Sequence, residues 1–235
     1  VSQVIQKSSN VGAAKMALAL PSEKLWTMLS QVGFGTVPHA GFPGEGSGRL
    51  RPYAGWKPIE QATMAYGHGI SVSLLQLARA YMVFASDGEL RPLSLLRREN
   101  MAESTRVMSA ETAQQIRKML ELVVLPGGTA PKAQVAGYRV GGKTGTAHKL
   151  DGASYAADKY VSSFVGLAPA SAPRLIVAVM IDEPTAGGYY GGTVAAPVFS
   201  SVMAGALRLL GVKPDAPLNN VVLPPPNAPE VREEV

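Results

Sequence analysis

The sequence contains no cysteine, so disulfides and thiolate metal sites are excluded, and the redox compartment stays open. Histidine occurs three times in 235 residues, at His39, His68 and His148, without the spacing of a metal site. No metal and no cofactor are therefore expected. Aromatic residues make up 6% and do not alternate with basic ones, so a base-stacking surface is not expected either. The net charge of +5 is scattered; Arg97-Arg98 is the only short cluster. Nucleic acid is not expected as a partner, and a mildly basic cleft for a carboxylate accounts for the charge as well. No apolar run reaches the length of a bilayer span, about 20 residues. An initiator methionine and a signal-like start are also missing. Val1–Lys7 reads as the middle of a helix, and the chain is expected to begin inside a domain.

What remains is an ordinary globular composition, 46% hydrophobic and 17% charged, with enough residues for one domain and a substantial core. The first half reads as helices. Ser22 is a plausible N-cap for a helix carrying Leu25, Trp26, Leu29 and Val32, with Gly33 as its stop. A loop rich in glycine and proline follows, from Gly33 to Pro58. Leu74, Leu75, Ala78, Tyr81, Met82 and Ala85 form a helical stripe ending at Asp87-Gly88. Ser109 caps a further helix with Ala113, Ile116, Leu120 and Val123 on one face, broken at Pro126-Gly127-Gly128.

The second half changes period. Residues 138–147 are short, glycine-broken and extended in character, and 160–167 and 175–181 are β-rich. Only seven residues separate the last two runs, too few for a parallel crossover, so they are expected to be antiparallel neighbours. Residues 194–210 predict a last helix, with Pro197 in its first turn. From Lys213 onward, repeated prolines, among them Pro226 and Pro229, predict a poorly packed tail. The expected division is 1–212 as folded domain and 213–235 as tail.

Gly142-Lys143-Thr144-Gly145-Thr146 admits two incompatible readings. Gly137 to Thr144 fits the phosphate-binding pattern G-x-x-x-x-G-K-[ST] in full, and 175–183 would supply a second acidic motif. A phosphate loop needs a strong strand before it and a helix after it. Here the upstream strand is weak, the downstream residues have no helical stripe, and the tight antiparallel link argues against a parallel fold. An ATPase is disfavoured. As Lys143-Thr144-Gly145, the same residues match the K-T-G element of serine β-lactamases and penicillin-binding proteins, which needs a strand at this place. The usual companion S-x-N occurs as Ser8-Ser9-Asn10, a tripeptide whose plain reading is the N-cap of a helix over 11–20.

Longer stretches add to this. Lys7–Gly12, Gly41–Glu45, Lys57–Gly67, Leu74–Tyr81, Gly127-Gly128-Thr129, Gly141–Ala147 and Ile181–Pro184 occur in the order, and with the residues, of the class B penicillin-binding proteins. The chain resembles in particular the septal, cell-division transpeptidase of Gram-negative bacteria, over about residues 1–212. The resemblance implies a mixed α and β fold of the penicillin-binding-protein/serine β-lactamase type. An antiparallel sheet would be flanked by helices, with an all-helical subdomain. It implies a D-Ala-D-Ala transpeptidase of peptidoglycan stem peptides, acylated by β-lactams. Its catalytic domain would sit in the periplasm, anchored to the inner membrane, with a septal glycosyltransferase and other division proteins as partners.

The resemblance also assigns roles. Ser8 would relay a proton, Asn10 would bond the substrate amide, and Lys143 would supply positive potential. Thr144 and Thr146 would hold the terminal carboxylate on the strand that includes Gly145, and the Thr146 N–H would be an oxyanion donor. Tyr189 and Tyr190, flanked by Gly187-Gly188 and Gly191-Gly192, would form an aromatic wall, though a loop anchor explains them equally. His148 stands where relatives commonly have arginine. No S-x-x-K occurs in the chain, so the nucleophile would lie before Val1, in an upstream part of the same domain with which this chain would pair. A β-lactamase would need a base for its deacylating water, and no convincing candidate lies between Asn10 and Lys143. A non-catalytic scaffold of the same fold is the remaining alternative.

Overall fold

The helix signals of the first half materialise as a set of short helices closed by glycine and proline. The computed structural model describes residues 1–97, 103–152, 154–186, 188–225 and 231–234; Arg98, Gly187, Pro226 and Pro229 lie outside them. The chain divides into two compact units, Asn10–Gln114 and Val1–Ser9 with Gln115–Val235. Helix α1 (Ser2–Lys7) belongs to the latter.

In the Asn10–Gln114 unit, α2 is Asn10–Leu18 and α3 is Ser22–Gln31. Ser22, expected as N-cap, is instead the first helical residue. Extended Pro21 takes the cap position, because its fixed φ feeds the chain straight into the first turn. Gly33 leaves the helix at φ 95°, as expected of a stop. The long loop holds one 3-10 turn, Tyr53–Gly55, and ends where α4 (Pro58–Met64) begins on its proline. Helix α5 (Leu74–Ala85) starts with a reciprocal box: Ser73 Oγ accepts the Gln76 N–H at 3.2 Å, and Gln76 Oε1 accepts the Ser73 N–H at 2.7 Å. Gln76 Nε2 donates to the carbonyls of Thr36 and Ser47, both at 2.8 Å, so this 1%-exposed amide organises the loop. The left-handed pair Asp87-Gly88 ends α5, and a short antiparallel ladder follows between β1 (Glu89–Leu90) and β2 (Thr105–Arg106).

Helix α6 (Ala110–Val124) is capped by Ser109, whose Oγ accepts the Thr112 N–H at 3.1 Å. Of its expected face, Ala113, Leu120 and Val123 are buried and Ile116 is half-buried. Strands β3 (Gly141–Asp151), β4 (Ser154–Ala168) and β5 (Leu175–Asp182) form an antiparallel sheet in the order β3-β4-β5. The register pairs Lys143 with Val165 and Thr144 with Phe164. Thr144 lies within a strand and starts no helix, which removes the phosphate-loop reading.

Helix α7 (Gly191–Leu209) begins three residues before its expected start, so Pro197 lies inside it and not in its first turn. The early start rests on Gly191 and Gly192. A Cβ on Gly191 would meet the Ser163 and Gly145 carbonyls, and one on Gly192 the Thr129 carbonyl. Only glycine lets the helix begin this close to the sheet. This helix is also long and apolar enough to cross a membrane, unlike what the sequence runs suggested, because small residues dilute its apolar stretch. Its Phe199, Met203 and Leu207 are nevertheless fully buried in the core cluster that includes Phe164, with the two phenylalanine rings 4.7 Å apart. Burying each such side chain contributes roughly 1.5–3 kcal/mol.

The proline-rich tail is poorly packed as expected, with Leu218, Val222 and Leu223 more than half exposed, yet hydrogen bonds tie it down. Asp215 accepts the Arg139 N–H at 2.7 Å and the Ser171 hydroxyl at 2.7 Å. Asn220 accepts the Gly137 N–H and donates to the Tyr138 carbonyl, both at 2.9 Å. Gln134 and Val222 exchange two hydrogen bonds, of 2.8 and 2.9 Å. Proline keeps such a segment extended but leaves its carbonyls and its Asp and Asn side chains able to bond elsewhere.

Candidate active site

Ser8 is positioned by the end of α1. Its backbone is left-handed, at φ 55° and ψ 46°, and the Ser9 N–H returns to the Val4 carbonyl at 3.0 Å. A non-glycine residue in this conformation costs roughly 1–2 kcal/mol. The turn brings Ser8 Oγ to Lys143 Nζ, which donates to it at 2.6 Å from β3, 135 residues away. Lys143 also donates to the Thr144 carbonyl at 3.2 Å. Desolvation holds the Lys143 ammonium below the ordinary lysine pKa; the Glu233 carboxylate opposes that shift. Because Lys143 occupies one lone pair of Ser8, the serine's own proton is free to point to a further acceptor.

The other expected residues line β3 and the start of α7. Thr144, expected to hold a ligand carboxylate, is turned inward: its side chain is 6% exposed and its hydroxyl lies 2.9 Å from that of Thr129. Gly145 lies close against β4, where a Cβ would sit 2.7 Å from Ser163 Oγ. Thr146 Oγ1 accepts the Gly191 N–H at 2.9 Å and donates to the Glu233 carboxylate. Strand β3 pairs only with β4 among the described residues, so its outer edge carries backbone groups directed away from the sheet.

His148 Nδ1 lies 2.9 Å from the Ala156 carbonyl, which places a proton on that nitrogen. Its ring is the first of an aromatic series: His148 to Tyr160 at 4.5 Å, Tyr160 stacked on Tyr189 at 4.0 Å, and Tyr189 to Tyr190 at 4.5 Å. The Tyr189 hydroxyl bonds that of Tyr190 at 3.2 Å; this bond, then burial, raises the Tyr190 pKa. The two tyrosines are thus part of one connected run of rings. Ser162 Oγ fixes it by donating to the Tyr189 carbonyl. Asn10 opens α2 in the other unit.

Sequence reasoning missed Thr129, Tyr160, Ser162, Arg232 and Glu233. Gly127-Gly128-Thr129 was legible as a motif, but the pairing of Thr129 with Thr144 was not. Tyr160 and Ser162 lie opposite His148 and Thr146, which the strand register alone reveals. Nothing local marks Glu233, a carboxylate in a proline-rich tail.

The family model described as the penicillin binding protein transpeptidase domain matches residues 1–204. The chain is 49% identical over 217 residues to a probable peptidoglycan D,D-transpeptidase PenA of Neisseria flavescens, covering 92% of this chain and 54% of that protein. It is 44% identical over 213 residues to the peptidoglycan D,D-transpeptidase FtsI of Escherichia coli K12, covering 91% of this chain and 36% of that protein. The chain thus spans between about a third and about half of these relatives' length. Among solved structures, the apo transpeptidase domain of Burkholderia pseudomallei penicillin-binding protein 3 superposes with a TM-score of 0.88 at 52% identity. That match covers 92% of this chain and 66% of that one. With the antiparallel sheet, the strand at Lys143-Thr144-Gly145 and this agreement over nearly its whole length, the chain belongs to the penicillin-binding protein transpeptidase domain family.

Proposed function

We propose that this chain supplies the S-x-N and K-T-G parts of a serine peptidoglycan D,D-transpeptidase that cross-links stem peptides and is acylated by β-lactams. The bond from Lys143 Nζ to Ser8 Oγ carries the reading, because it joins the two motifs that penicillin-binding proteins use together. Residues 1–212 would be part of the transpeptidase domain and 213–235 its tail.

In the reaction, a serine of an S-x-x-K motif attacks the carbonyl of the D-Ala-D-Ala bond. The carbon–nitrogen bond breaks and D-alanine leaves after protonation of its nitrogen. An amine from a neighbouring stem then displaces the serine oxygen and completes the cross-link. Ser8 is suited to pass the proton to the leaving nitrogen: Lys143 holds its oxygen and leaves its hydrogen to be donated. Thr146, on β3 beside the start of α7, is suited to the terminal carboxylate, since a helix N-terminus favours negative charge. Thr144 would act indirectly, through Lys143 and Thr129. Asn10 would bond the substrate amide, and His148, Tyr189 and Tyr190 would line the cleft.

The resemblance extends the proposal to septal synthesis. The enzyme would face the periplasm from the inner membrane, with division proteins and a septal glycosyltransferase as partners. The direct test uses the full-length protein and a labelled penicillin. Lys143→Ala and Ser8→Ala are each expected to slow acylation by about 10²–10³, as for loss of one preorganised polar group. Wild-type rates in both variants would refute the assignment.

A further inference from the structure

A carboxylate already occupies the place that this reading reserves for the substrate. Glu233 is 7% exposed, although burying a carboxylate is unfavourable unless it is paired. Its partners come from distant parts of the chain. Thr146 Oγ1 donates to it, the Gly191 N–H at the start of the 19-residue helix α7 reaches it at 3.3 Å, and Lys143 acts on it electrostatically. The preceding residue is tied to the run of rings: the Arg232 guanidinium lies 5.4 Å from the centre of the Tyr190 ring. The tail is anchored upstream through Asn220 and Val222.

We propose that the C-terminal tail is a built-in competitor of the acyl donor, with the Glu233 carboxylate standing in for the donor's terminal carboxylate and Arg232 holding it against Tyr190. The inference rests on the transpeptidase reading of the site. The exclusion is chemical. Thr146 has one hydroxyl proton, and it is given to Glu233, so a second carboxylate receives it only after the tail leaves. The Gly191 N–H is shared between Thr146 Oγ1 at 2.9 Å and Glu233 at 3.3 Å. Tethering keeps the local concentration of this carboxylate high, so even weak docking suffices to fill the site and still yields to a ligand. The tail thereby sets the fraction of molecules open to substrate or to a β-lactam.

The experiment measures the second-order rate of acylation of the full-length protein by a labelled penicillin. Glu233→Gln, and a form ended after Leu223, are expected to react faster, by about tenfold if the open state is about a tenth of the population. Glu234→Gln, which changes the same charge one residue further on, is expected to react like the wild type. An amidated Val-Arg-Glu-Glu-Val peptide added to the shortened form is expected to slow acylation competitively with penicillin. A Val-Arg-Gln-Glu-Val peptide is expected not to. Unchanged rates in both Glu233→Gln and the shortened form would overturn the inference while leaving the transpeptidase reading intact. So would an equal acceleration by Glu234→Gln. If every form, wild type included, fails to be acylated while melting cooperatively, the transpeptidase reading itself falls and the inference with it.

Discussion

The two units are held together by different means. In the sheet-bearing unit, Phe164, Phe199, Met203 and Leu207 are all fully buried between β4 and α7. In the Asn10–Gln114 unit, the cluster around Val32, Val83 and Leu90 is small, and the loop beside it is held by polar side chains, the buried Gln76 amide and the Glu45 carboxylate that accepts the Ala40, Gly41 and Phe42 N–H groups. The first arrangement fixes a strand register by close packing, and that register places Lys143 and Thr146 on β3. The second fixes a loop path by donor-acceptor matching, which needs few residues and tolerates glycine and proline. A polar hub can stabilise backbone that has no regular partner; an apolar core cannot, because buried carbonyls would stay unpaired.

The contrast is open to direct attack. Phe199→Ala removes an aromatic ring from the centre of the sheet unit. It should cost about 3–5 kcal/mol in denaturant unfolding of the full-length protein, with exchange protection lost first along β4 and α7. Gln76→Met keeps the length of the side chain but removes its donors, leaving the Thr36 and Ser47 carbonyls without that partner. The expected loss is about 1–3 kcal/mol, with faster hydrogen exchange confined to the 33–48 loop. A Gln76 variant as costly as Phe199→Ala, or one whose exchange changes spread into the sheet, would erase the distinction.

The smallest effect lies in the site. Burial lowers the Lys143 pKa, so between that lowered value and the unfolded one the folded protein binds fewer protons than the unfolded chain. The lysine therefore opposes folding at pH below its folded pKa, and the penalty fades as pH rises through that value. Ser8 and Thr144 offer Lys143 only neutral oxygens; Glu233 is the charged group acting on it among the described residues. Glu233 raises the Lys143 pKa, and Glu233→Gln should move the alkaline limb of the acylation profile to lower pH. An unmoved limb would mean that Lys143 does not sense the tail.

Much of the sheet unit was legible locally. Glycine-broken, β-rich residues around Lys143 and the short link before Leu175 sufficed for an antiparallel order, because period and connection length are local quantities. The start of α7 was not legible. Gly191-Gly192 looks like a breaker in sequence and is a helix start in the fold, since its value lies in what presses against it. The same holds for Thr144: its spacing from Thr146 puts both on one face, yet Thr129 bonds only the first.

The sequence by itself determined the family of the chain and the strand that carries Lys143, since motif order and hydrophobic period are written along the chain. Only the tertiary structure decided that Thr144 faces inward, that Tyr160 joins the run of rings, and that Glu233 fills the end of the site beside Gly191. The physical reason is that a carboxylate is drawn to a helix start and a threonine hydroxyl wherever the fold assembles them. Those groups are 42 and 87 residues from Glu233, and no local pattern encodes their meeting.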